Sequence, residues 1–509
     1  MDNSSNNKRI AKNTIILYVR MIFIVCIGLY TSRVILNALG AEDYGLYNVV
    51  GGFVAFFTFL NGAMTTSTQR FITFGLAQND IEKQKTTFST AIIIHLSLAL
   101  IIVLLAETIG LWFVTHKLVI PASRFNAAIW VYHLSIISMF ISIISIPYNA
   151  LIIAHEKMSV FAYISMSDAV LKLVIVFLLT ITKFDRLILY AILLTCVAAI
   201  DRVIYGIYCN KSFEEANFKL VFDKRIFKEM TNIAGWSLFG NVAGVFYTQG
   251  LNVLLNIFFN PAVNAARGIA VNVQGILSGF ISNFQMAVNP QITKSYASSD
   301  LGRMHELIFA SSKFSFYLLL IIVVPIILEA PFILTLWLKT VPEHTISFLR
   351  LILVIMLTDT LANPLMISSQ AVGKVKVYQS IVGCLLILIL PIAYIFLKLG
   401  CPPESVFIIQ FLMAILAQVA RIIIVCRMIR LSILTYVRKI LLPIVITLLA
   451  LSFEILVIAN IFHSDAHMLN ILIAIILTLM TVFFVGISKN ERDLIFNKGR
   501  SIIKHIAHI

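Results

Sequence analysis

The stretch LILYAILLTCVAAIDRVIYGIYC (187–209), followed by NKSFEEANFKLVFDKRIFKE (210–229), decides the architecture of this 509-residue chain. The first segment is long and apolar enough to cross a bilayer core of roughly 30 Å, which takes about twenty residues. The second carries charges of both signs and returns the chain to water. Five similar apolar blocks precede them, at 14–36, 44–69, 87–109, 127–153 and 158–181, so 187–209 closes a group of six. A second six follows at 230–257, 262–290, 313–337, 346–371, 377–397 and 405–426. Two further blocks, 436–460 and 467–487, lead into a basic tail.

Of the 509 residues, 60% are hydrophobic and 12% charged, whereas soluble domains carry about a quarter charged residues. That excess of apolar surface needs lipid as its solvent. The N-terminal segment 1–12 is polar and basic, and the apolar stretch after it is too long for a signal-peptide core, so it is expected to remain as the first span. The net charge of +15 would suggest nucleic-acid binding in a soluble protein. Here the basic residues lie in short loops between apolar blocks and report orientation, so no nucleic-acid partner is expected.

With the N-terminus in the cytoplasm, only six of the 39 Lys and Arg fall in exterior loops, as the excess of cytoplasmic positive charge requires. Lys224, Arg225 and Lys228 in the connector, and Arg427, Arg430, Arg438 and Lys439 after the twelfth block, form cytoplasmic clusters. Three of the four tryptophans, Trp112, Trp130 and Trp337, fall at exterior helix ends, where amphipathic rings favour the headgroup zone. Both termini are expected in the cytoplasm. The six cysteines are scattered, with no metal-ligand spacing, and read as packing residues.

The two groups of six superimpose with a shift of 217 to 219 residues. Leu36-Asn37 falls on Leu255-Asn256, Pro147 on Pro364, Ala154 on Ala371 and Lys157 on Lys374. Because six is even, both copies enter the membrane in the same sense and form parallel repeats about an axis along the membrane normal. The expected fold is an all-α polytopic membrane protein of about 14 spans, with two six-helix lobes around a central cavity and a C-terminal pair. The boundaries are an N-lobe at 1–209, a cytoplasmic connector at 210–229, a C-lobe at 230–430, the additional pair at 431–488 and a cytoplasmic tail at 489–509. Pro147 and Pro364 are each expected to interrupt the fourth helix of their repeat.

A charge at mid-bilayer depth costs at least ~2.5 kcal/mol, so those that remain face a cavity or a partner. Asp168 and Lys172 stand four apart on one helical face and can neutralise each other. Asp201 and Arg202 lie nearer the cytoplasmic end of the sixth span, and Arg350 and Arg421 lie near helix ends, from which arginine can reach the interface. Arg20 and Arg33 in the first span and Arg267 in the eighth have no acidic residue one turn away. Small and amide-bearing residues surround Arg267 (Asn264, Ala265, Ala266, Gly268, Asn272, Gln274). Asn241, Gln249, Asn252 and Asn256 mark the seventh span, and Asn283, Gln285 and Asn289 continue the eighth. Such a stripe either lines a hydrophilic lumen or ties helix to helix. An unpaired cationic lumen suits an anionic, phosphate-bearing substrate, because the planar guanidinium fork matches phosphate oxygens. Asp359, in the tenth span, either couples a proton or sodium ion or neutralises an arginine. Glu454, outside the repeats, reads as structural.

The segment Ser32-Arg-Val-Ile-Leu-Asn-Ala-Leu-Gly-Ala-Glu-Asp-Tyr-Gly-Leu-Tyr47 resembles the link between the first two helices of bacterial polysaccharide flippases of the multidrug/oligosaccharidyl-lipid/polysaccharide exporter superfamily. The resemblance extends over essentially the whole chain. It implies a V-shaped transporter of the bacterial inner membrane that moves undecaprenyl-diphosphate-linked oligosaccharides outward by alternating access, before polymerisation of O-antigen, capsule or a related polysaccharide. It further implies that Arg33 and Arg267 contact the diphosphate, with Arg20 as an additional cation and Asn252, Asn256 and Gln274 receiving sugars. Membrane lipids, a polysaccharide polymerase and glycosyltransferases are the partners it implies.

An ion-coupled multidrug exporter of the same superfamily is the alternative, although a pump for cations would place carboxylates, not arginines, in its lumen. A membrane glycosyltransferase would need acidic residues in a sizeable loop, and no loop is long enough, so the chain does not read as an enzyme. His463-Ser-Asp465-Ala-His467 has a spacing compatible with metal but falls in a predicted exterior turn. No Gly-Lys-Ser/Thr phosphate loop occurs, and neither cofactor nor metal is expected.

Overall fold

In a bilayer core without water, every backbone N–H and C=O must be paired inside the protein, and an apolar chain meets that demand by coiling into helices. A computed structural model describes residues 3–55, 59–78, 80–116, 120–181, 184–217, 221–259, 261–338, 341–458, 466–489 and 491–493, and among them no strand occurs. The chain runs through α1 (Asn3–Ala55), α2 (Phe59–Gln78), α3 (Ile81–Leu105), α4 (Leu111–His116), α5 (Phe125–Ala154), α6 (Met158–Ile181) and α7 (Arg186–Ser212). Beyond the connector come α8 (Lys224–Phe258), α9 (Pro261–Ala297), α10 (Leu301–Leu328), α11 (Ala330–Leu338), α12 (Thr345–Asp359), α13 (Ala362–Val372), α14 (Val375–Lys398) and α15 (Ser405–Met428). The last helices are α16 (Ile433–Tyr436), α17 (Leu442–Ile458) and α18 (His467–Thr481). This is the all-α membrane architecture that the sequence predicts.

Among the described residues, 11 helices are long and apolar enough to cross a membrane, against the fourteen expected. The 35-residue α8 and 37-residue α9 have the length, but their amides, glycines and Arg267 dilute the apolar composition. In α1 the path breaks at Gly40, whose φ of 80° is a left-handed value that glycine adopts without steric cost.

The two repeats treat their matching prolines differently. Pro147 lies inside an unbroken α5, correcting the interruption expected there. Pro364 sits in the first turn of α13, just after the helix has broken at Thr360–Leu361, a position where its missing N–H costs nothing. Two glutamines catch carbonyls at that break: Gln285 of α9 donates to Thr360 O at 3.1 Å and Gln418 of α15 to Leu361 O at 3.4 Å.

The chain divides into two compact units. Unit 1 comprises Met1–Val242, Met286–Leu301 and Gln370–Ser380, and unit 2 comprises Ala243–Gln285, Gly302–Ser369 and Ile381–Ile509. In lipid, apolar contact between helices gains nothing over contact with lipid tails, so close approach and polar ties do the joining. In unit 1, Ala99, Ala106, Ala127, Ala128 and Ala191 let α3, α5 and α7 meet around buried Tyr132 and Ile136. Tyr132 also donates to Ala106 O at 2.5 Å, within a π-turn at Ala106–Gly110. Unit 2 repeats the device: Tyr317 donates to Gly486 O at 3.1 Å, at the end of the π-turn Val482–Gly486. In both, a buried tyrosine hydroxyl satisfies a π-turn carbonyl.

Candidate functional site

Arg267 enters unit 2 from the second turn of α9, where Ala266 and Gly268 leave room around its stem. It is 4% exposed. Its Nη1 donates to Asn252 Oδ1 and its Nη2 to Thr248 O at 3.0 Å. Thr248 and Asn252 are four apart on α8 and so share a face. Asn252 is itself oriented by donating from Nδ2 to Gln249 Oε1 at 3.1 Å. Among the described residues the guanidinium therefore rests on neutral acceptors, and its Nε has no hydrogen-bond partner. The acceptors fix the direction of the fork and leave its positive charge uncancelled.

Tyr247 links this arginine to two further charged groups of unit 2. Tyr247 lies within electrostatic range of Arg267, Asp359 and Arg421. Asp359 ends α12 and is exposed, although Leu357 and Thr360 beside it are buried. Arg421, on α15, is 8% exposed, lies in range of Asp359 and has no hydrogen-bond partner on Nε or Nη1. Its burial corrects the expectation that it reaches the interface from a helix end. Arg421 faces the Asp359 carboxylate, whereas Arg267 has only neutral acceptors in contact, and a fixed guanidinium of that kind suits the paired oxygens of a phosphate.

Of the residues singled out in the sequence, Arg267 and Asn252 come together in unit 2, and Asp359 lies in the same unit within range of Tyr247. Gln274 stands two turns along α9 from Arg267, half-buried. Arg20 is in unit 1, its guanidinium 4.5 Å from the centroid of the Phe161 ring. The side chains of Arg33 and Asn256 lie outside the described residues. The amide stripe splits in function. Gln249 and Asn272 are exposed, while Asn283 donates back to Gly279 O at 2.9 Å and Gln285 ties α9 to Ser315 of α10 at 3.1 Å. Sequence reasoning missed Arg421 and Tyr247. The criterion that picked Arg267, an arginine without an acid one turn away, applies equally to Arg421, whereas nothing in the sequence marks Tyr247. The expected neutralisation of Asp168 by Lys172 is present at 2.8 Å. His467 contacts Glu329 at 2.8 Å, and His463 and Asp465 lie outside the described residues.

A second ionic cluster, absent from the sequence reading, lies in unit 1. Glu156 has φ 59°, a value uncommon for a residue with a Cβ, and its side chain is fully buried. It receives Arg9 at 2.9 Å, Lys294 at 2.8 Å and Gln291 at 2.6 Å, while Asn13 donates to its carbonyl at 3.2 Å. At the end of α13, Gln370 O and Ala371 O accept from Arg70 at 2.8 and 3.2 Å. Both sets join residues of the first sequence repeat to residues of the second, inside one unit.

Solved structures similar to this chain include transporters. A multidrug resistance MATE family transporter of the MOP superfamily, in an outward-facing conformation, is similar over 84% of this chain and 96% of its own, with TM-score 0.71 and 16% identity. A MATE structure in a straight conformation gives TM-score 0.69 and 17% identity, covering 84% and 96% of the two chains. A MOP superfamily transporter from Pyrococcus furiosus gives TM-score 0.66 and 15% identity over 82% and 96%. At such identities the likeness shows the fold. No curated protein matches the chain. The model of the family described as polysaccharide biosynthesis protein matches residues 10–296, more than half of the sequence. The chain thus belongs to the polysaccharide biosynthesis protein family and has the fold of MOP superfamily transporters.

Proposed function

We propose that this protein is a flippase that carries undecaprenyl-diphosphate-linked oligosaccharide repeat units from the cytoplasmic to the outer leaflet of a bacterial inner membrane, for O-antigen, capsule or a related surface polysaccharide. The observation that carries the reading is the buried Arg267 guanidinium, held by neutral acceptors. A diphosphate supplies the paired oxygens that a fixed guanidinium fork binds best. Arg33, from the first span, adds a second contact in this reading, and Asn252, Asn256 and Gln274 receive sugars. The lipid tail stays in the bilayer while the headgroup moves through the protein.

Translocation proceeds by alternating access of the two six-helix repeats, with both termini in the cytoplasm. The Glu156 cluster supports this reading because its partners come from both repeats: Lys294 and Gln291 must part from Glu156 when the repeats separate at that end. Asp359 is the carboxylate available for an ion or proton, or for neutralising Arg421 while the site is empty.

The multidrug exporter reading draws on the similar solved structures and on the exposed Asp359. Polarity separates the two, and the Pyrococcus furiosus transporter is itself described by a reversed polarity of its binding pocket. The test is binding of purified protein to undecaprenyl-diphosphate oligosaccharide, comparing the parent with folded Arg33→Ala and Arg267→Ala variants. Weaker binding by both variants is expected. Unchanged binding by both removes these arginines from the mechanism, and uptake of cationic dyes by a parent that binds no lipid diphosphate establishes the exporter.

A further inference from the structure

Unit 1 holds a lateral groove of about 240 Å³ that the proposed transport does not use. Met64 of α2, Ile94, Leu98 and Ile101 of α3, and Phe227 and Leu238 of α8 form its walls. Among the described residues no amide and no charged side chain lines it. Of the two hydroxyl residues there, Thr231 spends its proton on Phe227 O at 2.7 Å in its own helix. The groove offers nothing that could read a sugar, and a hydrocarbon chain is the chemistry it accepts.

Its dimensions match one leaflet. Phe227 and Leu238 are eleven residues apart on a continuous helix, about 16 Å at the helical rise, and half of a hydrocarbon core is roughly 15 Å. Gly235 forms part of the wall, and a Cβ built there meets no atom within 4 Å. Glycine inside a helix costs about 1 kcal/mol relative to alanine. Here it leaves open a space into which a Cβ would project without meeting another atom.

The charge at one mouth names the headgroup. Lys224 precedes Phe227 by three residues and shares its face of α8, and Lys228 flanks it. Arg225 is paired with Glu229 at 3.1 Å. The Asp223 carboxylate accepts from Arg225 N at 2.7 Å and Ile226 N at 3.0 Å as a helix cap. Among the described residues these contacts leave exposed Lys224 and Lys228 without an ion-pair partner. By the topology that the basic loops predict, this mouth opens at the cytoplasmic leaflet, whose surface is anionic and attracts such lysines by about 1 kcal/mol each. Lysine acts as a point charge where arginine offers a planar fork, so the mouth reads charge and not the geometry of a diphosphate.

We propose that this groove binds an acyl chain of an anionic diacyl phospholipid from the cytoplasmic leaflet, with its phosphate at Lys224 and Lys228. The test uses the full chain, purified from mixed vesicles of phosphatidylglycerol and phosphatidylcholine, with retained lipid counted by native mass spectrometry. The parent is expected to keep phosphatidylglycerol in severalfold preference. Gly235→Leu and, on the facing wall, Ser97→Phe should lose the retained lipid, and Lys224→Gln with Lys228→Gln should lose the preference while thermal melting stays unchanged. Equal retention of phosphatidylglycerol by the parent, the filled grooves and the lysine variant would overturn the proposal. So would retention of added undecaprenyl phosphate in place of phosphatidylglycerol, which would assign the groove to the transported lipid.

Discussion

Arg267 is held by Asn252 and Thr248 O with no carboxylate in direct contact among the described residues. A hydrogen bond to a charged group contributes about 1.5–3 kcal/mol, so Arg267→Ala should weaken binding of the lipid diphosphate roughly ten- to a hundredfold. Arg267→Lys keeps the charge and loses the fork, and titration should show it recovering only part of the affinity. Glu156 tests a different property. Removing the buried carboxylate leaves Arg9, Lys294 and Gln291 without the acceptor they share. Glu156→Ala should therefore lower the melting temperature clearly, while Arg225→Ala, which breaks an exposed pair, should leave it nearly unchanged. Arg267 was legible in the sequence because a membrane arginine without a local acid needs an explanation. Glu156 was not, because a lone acid in a short predicted loop looks solvated until its distant partners are seen.

Helix ends carry a difference between the repeats. Asp185 caps α7 and Glu404 precedes α15, 219 positions apart and within the shift that relates the repeats. Asp185 meets Arg124 at 2.6 Å, and Arg124 also binds Asp43. Glu404 meets His344 at 2.6 Å and Ser347 at 2.8 Å. Burial alone would raise the Glu404 carboxyl, but the hydrogen bonds from His344 and Ser347 outweigh it and hold it below its ordinary value. A lowered carboxyl contributes stability above the ordinary carboxylate range and loses it as pH falls through the folded value. Melting followed from pH 6 down to pH 3 should thus show a steeper loss for the parent than for Glu404→Gln, and parallel curves would deny the link. The repeat shift was visible in the sequence. The exchange of Arg124 for a histidine at the corresponding end was not, because it depends on which loop residue folds back onto the cap.

At the scale of the whole molecule, alternating apolar blocks and polar loops were enough to read an all-helical membrane protein. The count of spans was less legible, because α8 and α9 carry amides, glycines and Arg267 and therefore lack the composition of lipid-facing helices. The predicted topology can be checked at Cys401, which lies between α14 and α15, outside both helices. In a variant keeping only this cysteine, a membrane-impermeant maleimide should label intact spheroplasts, and labelling only after permeabilisation would invert the orientation. Cys26, Cys196 and Cys384 lie within helices long and apolar enough to cross the membrane, so single-cysteine variants at these positions should resist a reagent that does not enter lipid. Transport itself is tested most directly by transfer of an undecaprenyl-diphosphate oligosaccharide between the leaflets of proteoliposomes, read by accessibility of its sugar to an added glycan-cleaving enzyme. The proposed flippase predicts protein-dependent transfer that Arg267→Ala sharply reduces. No transfer by the folded parent, with extrusion of a cationic dye by the same vesicles, would contradict it.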